Sequence, residues 1–128
     1  MNKIIIILIV LSITGCSKEV VVAPIVQNHL PYNEDKILYG VASYYDYVLD
    51  GGWSSVGHYV CATRDFIRYS YVEATNVANG KSVICKVTDY GPDESIFPDR
   101  IIDLSSTAFK AISDTKLGVV DVAVKQLK

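Results

Sequence analysis

The stretch from Ser82 to Ser105, SVICKVTDYGPDESIFPDRIIDLS, limits the possible folds of this chain more than any other. Val83, Cys85 and Val87 alternate with Lys86 and Thr88, the period of two that a pleated strand imposes. Continuing the alternation puts Asp89 on the face of Val83, Cys85 and Val87. If that face is buried, the strand carries a carboxylate to the edge of an apolar interior. Desolvation there raises a carboxyl pKa and prepares it to donate a proton near neutral pH. Gly91-Pro92 ends the strand, a polar loop follows, and order resumes at Arg100-Ile101-Ile102-Asp103-Leu104. Two carboxylates, Asp89 and Asp103, therefore flank one loop. A plainer reading also fits. An Asp before a Gly-Pro turn often accepts local backbone N–H groups, and Asp103 could help cap the next helix.

The rest of the chain is read around this stretch. Its 128 residues, half of them hydrophobic, make room for one domain. Lys and Arg are dispersed and the net charge is −2, which argues against a nucleic-acid partner. Residues 1–16 read as a signal segment: a short positive start, an apolar run from Ile4 to Val10 too short to span a bilayer, then Ile13-Thr14-Gly15-Cys16. Residues 17–36, interrupted by Pro24 and Pro31, read as a tether reaching at most about 65 Å.

The domain proper is expected over residues 37–128. Ile37 to Tyr47 is aromatic-rich and strand-like, with Gly40 a bulge or point of close approach. Asp50-Gly51-Gly52 is a turn, and Trp53 to Val60 reads as loop. From Ser70 to Asn76, Val72 and Ala74 face one way and Tyr71, Glu73 and Thr75 the other. Asn79-Gly80 signals a hairpin into the next strand. Ser105 is placed to cap a short helix, residues 106–113, with Ala108, Phe109 and Ile112 on one face. A last strand runs from Gly118 to Leu127. Five or six short strands and one helix favour a small β-barrel, since closure removes exposed edges.

Several motifs carry a resemblance to a family. They are Gly40-Val41-Ala42-Ser43-Tyr44-Tyr45, Thr75-Asn76-Val77, Asn79-Gly80-Lys81-Ser82-Val83, Val87-Thr88-Asp89-Tyr90-Gly91-Pro92 and Arg100-Ile101-Ile102-Asp103-Leu104-Ser105. Together they resemble the rare lipoprotein A (RlpA) family, relatives of expansins, barwin and family 45 endoglucanases. The resemblance implies a mainly β fold, a six-stranded double-psi β-barrel with one short helix. It implies an envelope lipoprotein lipidated on Cys16, anchored to a bacterial membrane (the outer membrane if the cell is Gram-negative). It also implies lytic transglycosylation of peptidoglycan glycan strands, in which an acid protonates the glycosidic oxygen and a muramic acid 6-hydroxyl closes a 1,6-anhydro ring. The family's catalytic aspartate falls on Asp89, expected as general acid. Asp103, which matches the aspartate used by expansins, would stabilise charge or hold substrate.

The pattern departs from the family in three places. Where the family has Asn-Gly-Glu, the chain reads Gly51-Gly52-Trp53-Ser54, with Asp50 the nearest carboxylate. The family histidine falls on Thr63, with His58 nearby as a substitute. Its Leu-Pro-x-Gly-Thr segment reads Ile67-Arg68-Tyr69-Ser70. The chain also ends with the barrel, so the C-terminal glycan-binding domain of many relatives is not expected. A non-catalytic, expansin-like glycan-binding or wall-loosening module remains the alternative. Substrate-binding candidates are Tyr45, Trp53, Tyr90, Thr63 and His58, since aromatic faces stack on sugars; Tyr47 and Tyr59 fit the same role or core packing. The cysteines and histidines lack zinc-ligand spacing, so no metal or other cofactor is expected. A monomer is expected. With Cys16 lipidated, Cys61 and Cys85 are left either to form a disulfide or, for Cys85, to pack as a small hydrophobe.

Overall fold

The computed structural model describes residues 36–128; the signal segment, Cys16 and the tether up to residue 35 lie outside the described residues. Six strands appear there: β1 (Ile37–Tyr44), β2 (Val60–Ala62), β3 (Tyr71–Asn76), β4 (Ser82–Asp89), β5 (Arg100–Leu104) and β6 (Val119–Gln126). They close into a barrel in the order β1-β5-β2-β4-β3-β6. β1 pairs with β5, and β2 with β4, in parallel; the remaining pairs are antiparallel. This is the expected mainly β, six-stranded barrel with one helix, α1 (Ser106–Ile112).

The local reasons match the sequence closely. Val72 and Ala74 are buried while Tyr71, Glu73 and Thr75 are not, and β3 turns into β4 through Gly80 at φ 72°, with Thr75 opposite Ser82. Ser105 caps α1, its Oγ accepting from the Ala108 N–H at 3.2 Å. Ala108, Phe109 and Ile112 are the helix residues that face the core. The Ile112 carbonyl at the far end accepts from the amides of Asn76 and Asn79, each at 2.9 Å. Gly40 is a close approach: a Cβ there would stand 2.7 Å from Ile101 Cγ2 and 2.9 Å from the Asp99 carbonyl oxygen. The β1–β5 register shifts between Val41 and Ala42, just beyond it.

Two elements differ from the sequence reading. Residues 60–62, read as loop and approach, form β2, a strand of three buried residues. It is short because it fills one gap in the barrel, between β4 and β5. The first strand stops at Tyr44 instead of Tyr47. Residues 46–58 then fold back on themselves, the Tyr47 carbonyl accepting from the Ser55 N–H at 2.9 Å and Leu49 pairing with Trp53 at 2.8 Å. Gly51 and Gly52, at φ 90° and 81°, supply the left-handed backbone this reversal requires.

The interior holds Cys61, Val72, Ala74, Cys85, Val87, Ile102, Leu104, Phe109, Val122 and Val124, among others. Cys61 and Cys85 are free thiols, side by side with Sγ atoms 2.7 Å apart. Burial, and after it the neighbouring Cys85, push the Cys61 thiol well above its ordinary pKa.

Candidate active site

The site is built on one row across four strands. Ser43 on β1 lies beside Asp103 on β5. Asp103 lies beside Ala62 on β2, and Ala62 beside Asp89 on β4. The acids are thus two strand spacings apart, about 10 Å between backbones, and only an alanine methyl separates them. Asp89 reaches this row through a register shift. Cys61 faces Val87, yet the next residue, Ala62, faces Asp89. The additional residue takes Asp89 out of the Val83–Cys85–Val87 row and into line with Asp103. The expectation that Asp89 shares the interior face is therefore corrected: those three are buried and Asp89 is only half-buried.

The two carboxyls have different surroundings. Asp89 accepts from the Tyr45 hydroxyl at 3.4 Å on Oδ2 and from the Tyr90 N–H at 2.8 Å on Oδ1. Asp103 Oδ1 accepts from the Ser43 hydroxyl. Burial raises the Asp103 pKa above its ordinary value, against the lowering effects of the Ser43 hydrogen bond and the Arg100 and Arg64 charges. No buried side-chain polar atom among the described residues lacks a partner. Asp103 Oδ2 has none, so it opens to solvent, on the side where Gly91 passes. Gly91, at φ 144°, carries no side chain to cover it. Tyr45 stands near both acids, hydrogen-bonded to Asp89. Burial, then the charges of Asp89 and Asp103, hold its phenol firmly protonated, so its hydroxyl stays a donor.

From Tyr45 an aromatic strip leads away. Ring centroids of Tyr45 and Tyr47 are 5.2 Å apart, Tyr47 and Trp53 6.2 Å, and Trp53 and His58 5.0 Å. The Tyr47 hydroxyl bonds to Thr88 Oγ1 beside Asp89. The structure therefore joins Tyr45, Trp53 and His58 in one surface. His58 stacks on Trp53, and among the described residues its ring makes no hydrogen bond to either acid. Tyr90, 60% exposed, sits on the other side of Asp89 under the Arg68 guanidinium. Tyr59 is exposed and has no part in the strip.

Thr63, a binding candidate of the sequence, points away from the aromatic strip into the turn after β2. It is fully buried, its Oγ1 donating to the Ile101 carbonyl at 2.9 Å and accepting from the Asp65 N–H at 3.2 Å. Both bonds close the turn after β2. Asp103 likewise caps nothing; the helix cap is Ser105. Sequence reasoning missed the roles of Ser43 and Arg64; for Tyr47 it leaves sugar stacking and core packing open, and the ring lies in the strip. Arg64 donates to the carbonyls of Pro92 and Arg100, each at 2.8 Å, and of Pro98 at 3.2 Å, fixing the loop between the acids. Ser43 could have been found, since it lies in the Gly40–Tyr45 motif, one residue from buried Ala42.

A closed mixed barrel with this topology, bearing two aspartates on the strands that flank β2, is an expansin-like double-psi β-barrel. It superposes on a Clavibacter michiganensis expansin in complex with cellohexaose with a TM-score of 0.55, at 17% identity, over 73% of this chain and 51% of that one. The Streptomyces papain inhibitor gives 0.54 at 20% identity, over 73% of this chain and 96% of the inhibitor. These likenesses concern the fold.

The chain belongs to the family described as lytic transglycolase, whose profile matches residues 40–124. It is 46% identical over 56 residues to the endolytic peptidoglycan transglycosylase RlpA of Pseudomonas aeruginosa, spanning 44% of this chain and 16% of that protein. With the RlpA of Haemophilus influenzae it shares 35% over 95 residues, 69% of this chain and 32% of the relative. The matches thus span a third or less of these relatives' own lengths.

Proposed function

We propose that the row of Asp103, Ala62 and Asp89 binds a peptidoglycan glycan strand and cleaves its MurNAc–GlcNAc bond by lytic transglycosylation. The observation that carries this reading is the desolvated Asp103 carboxyl set opposite a second carboxylate, Asp89, across Ala62. Asp103 is the desolvated carboxyl with a raised pKa, and its free oxygen opens to solvent. It is the natural proton donor to the glycosidic oxygen. Asp89, across Ala62, accepts the proton that the muramic acid 6-hydroxyl loses as its oxygen bonds to C1. The C1–O bond breaks, the 1,6-anhydro ring closes, and no water is consumed. This assignment moves the general acid from Asp89, where the family resemblance puts it, to Asp103, and makes Asp89 the general base. Tyr45 stays protonated and orients Asp89, while Tyr47 and Trp53 offer faces for sugar rings. The named activity of the RlpA relatives and the cellohexaose on the expansin support a glycan as ligand.

The test is mass spectrometry of purified glycan strands after incubation. Asp103→Asn and Asp89→Asn should each lower the yield of 1,6-anhydro ends at least about a hundredfold. An activated aryl leaving group, which needs no proton, should rescue Asp103→Asn and not Asp89→Asn; the reverse would return the acid to Asp89. A non-catalytic glycan-binding module is the second reading, favoured by Thr63, buried where the family pattern has histidine. It prevails if the protein co-sediments with sacculi and no anhydro product forms.

A further inference from the structure

Residues 67–70 depart from the family pattern, and they form an unusual surface. Tyr69 has φ 70°, a left-handed backbone that an aromatic residue rarely adopts. Its N–H donates to the Val87 carbonyl at 2.6 Å, and the Ser70 N–H closes the turn on Ile67 at 3.1 Å. The turn leaves the Tyr69 ring 64% exposed. The Arg68 guanidinium carbon stands 5.3 Å from the centroid of Tyr69 and 5.3 Å from that of Tyr90. Arg68 Nε donates to the carbonyl of Thr88 at 3.1 Å, the residue before Asp89.

The cation is therefore held by one edge and by two aromatic rings, while its terminal amino groups bond to no described residue. Arg64 is the contrast, its terminal amines committed to three loop carbonyls and its Nε near Asp65 and Glu94. No carboxylate among the described residues forms a salt bridge with Arg68. A pre-oriented guanidinium with both terminal amines unspent matches a carboxylate geometrically and electrically. Backbone strain kept at such a point is a pointer to function.

We propose that Arg68, with Tyr69 and Tyr90, forms an acidic-sugar subsite that reads a carboxylate on the glycan strand one sugar away from the Asp103–Asp89 row. The proposal rests on the glycan reading of that row and adds the substrate's charge to it. The carboxylate is either the lactyl group of muramic acid or that of an attached peptide, and one experiment distinguishes them.

Affinity is measured with the full chain in an Asp103→Asn background, so that strands survive. The probes are peptide-free strands and peptide-bearing strands, each with its carboxyls free or amidated, and neutral chitin oligomers. Amidating peptide-free strands should weaken binding about tenfold. Arg68→Gln should weaken binding to the unmodified strands equally and abolish the effect of amidation. Tyr69→Gly, which suits the left-handed backbone, should reduce the discrimination with no loss of melting temperature. If charge matters only for peptide-bearing strands, the peptide is the source of the carboxylate and the subsite stands. If wild-type binding ignores amidation of both strand types, or Arg68→Gln keeps its sensitivity, the subsite is refuted while the glycan reading survives. If none of the probes binds, chitin included, the glycan reading fails and the subsite with it.

Discussion

Oxidation of the Cys61–Cys85 pair offers a quantitative test of the interior packing. The thiols are free, and their sulfurs lie 2.7 Å apart across 24 positions of sequence. Refolding with oxidised glutathione as the oxidant should join them, with two thiol hydrogens passing to glutathione as it is reduced. Closing a loop of that length lowers the entropy of the unfolded chain by an amount worth about 3.5 kcal/mol in the chain-entropy model. For a domain of this size each kcal/mol moves the melting temperature by about 4–8 °C. The oxidised protein should therefore melt about 14–28 °C above the reduced one, with two hydrogens fewer by mass and neither Cys61 nor Cys85 reactive in denaturant. The sulfurs must react before or during folding. Once folded, both cysteines are fully buried, out of reach of the oxidant, and the raised pKa of Cys61 keeps that thiol protonated. A Cys61→Ala/Cys85→Ala variant should melt identically with and without reductant. Cys61 and Cys85 both still reactive after oxidative refolding, or a melting temperature indifferent to reductant in the native sequence, would refute the reasoning.

Two further predictions concern stability at the site and at the β1–β5 contact. The folded Asp103 holds its proton more tightly than the unfolded chain does, so stability falls as pH rises from its ordinary value of 3.8 through its higher folded value. Asp103→Asn should therefore raise the melting temperature at pH 7, with the gain vanishing on acidification below about pH 3.8; a variant less stable than wild type at pH 7 contradicts this. Gly40→Ala should cost about 1–3 kcal/mol in urea denaturation, because its methyl would meet Ile101 and the Asp99 carbonyl; an unchanged midpoint would mean that β5 yields freely.

Much of the fold could be read along the chain because its signals are local. The alternation in β3, the Asn79-Gly80 hairpin and the Ser105 cap each depend on residues within a few positions of one another, and each appears where expected. β2 escaped because three residues cannot display a period. Val60, Cys61 and Ala62 are all buried, so the alternation that marks a half-buried strand is absent. Its existence depends instead on distant partners, β4 on one side and β5 on the other.

The same limit explains what could and could not be read of the site. Parity along β4 assigned Asp89 to the interior, and the register shift beside Ala62 reversed the assignment. A shift by one residue moves a side chain to the opposite face, and nothing in Thr88-Asp89 marks it. Both acids were recognisable as residue types, but their row was not, because it needs β1, β5, β2 and β4 aligned at once. Thr63 shows a related limit. Its position in the family motif says which side chain is present, whereas its bond to the Ile101 carbonyl says where that side chain is spent. Tyr69 is the converse. It looked like a loss from the motif, yet its left-handed backbone brings Arg68 against Tyr90. Residue types thus named the chemistry, and the register between strands decided which of those residues can act on one ligand.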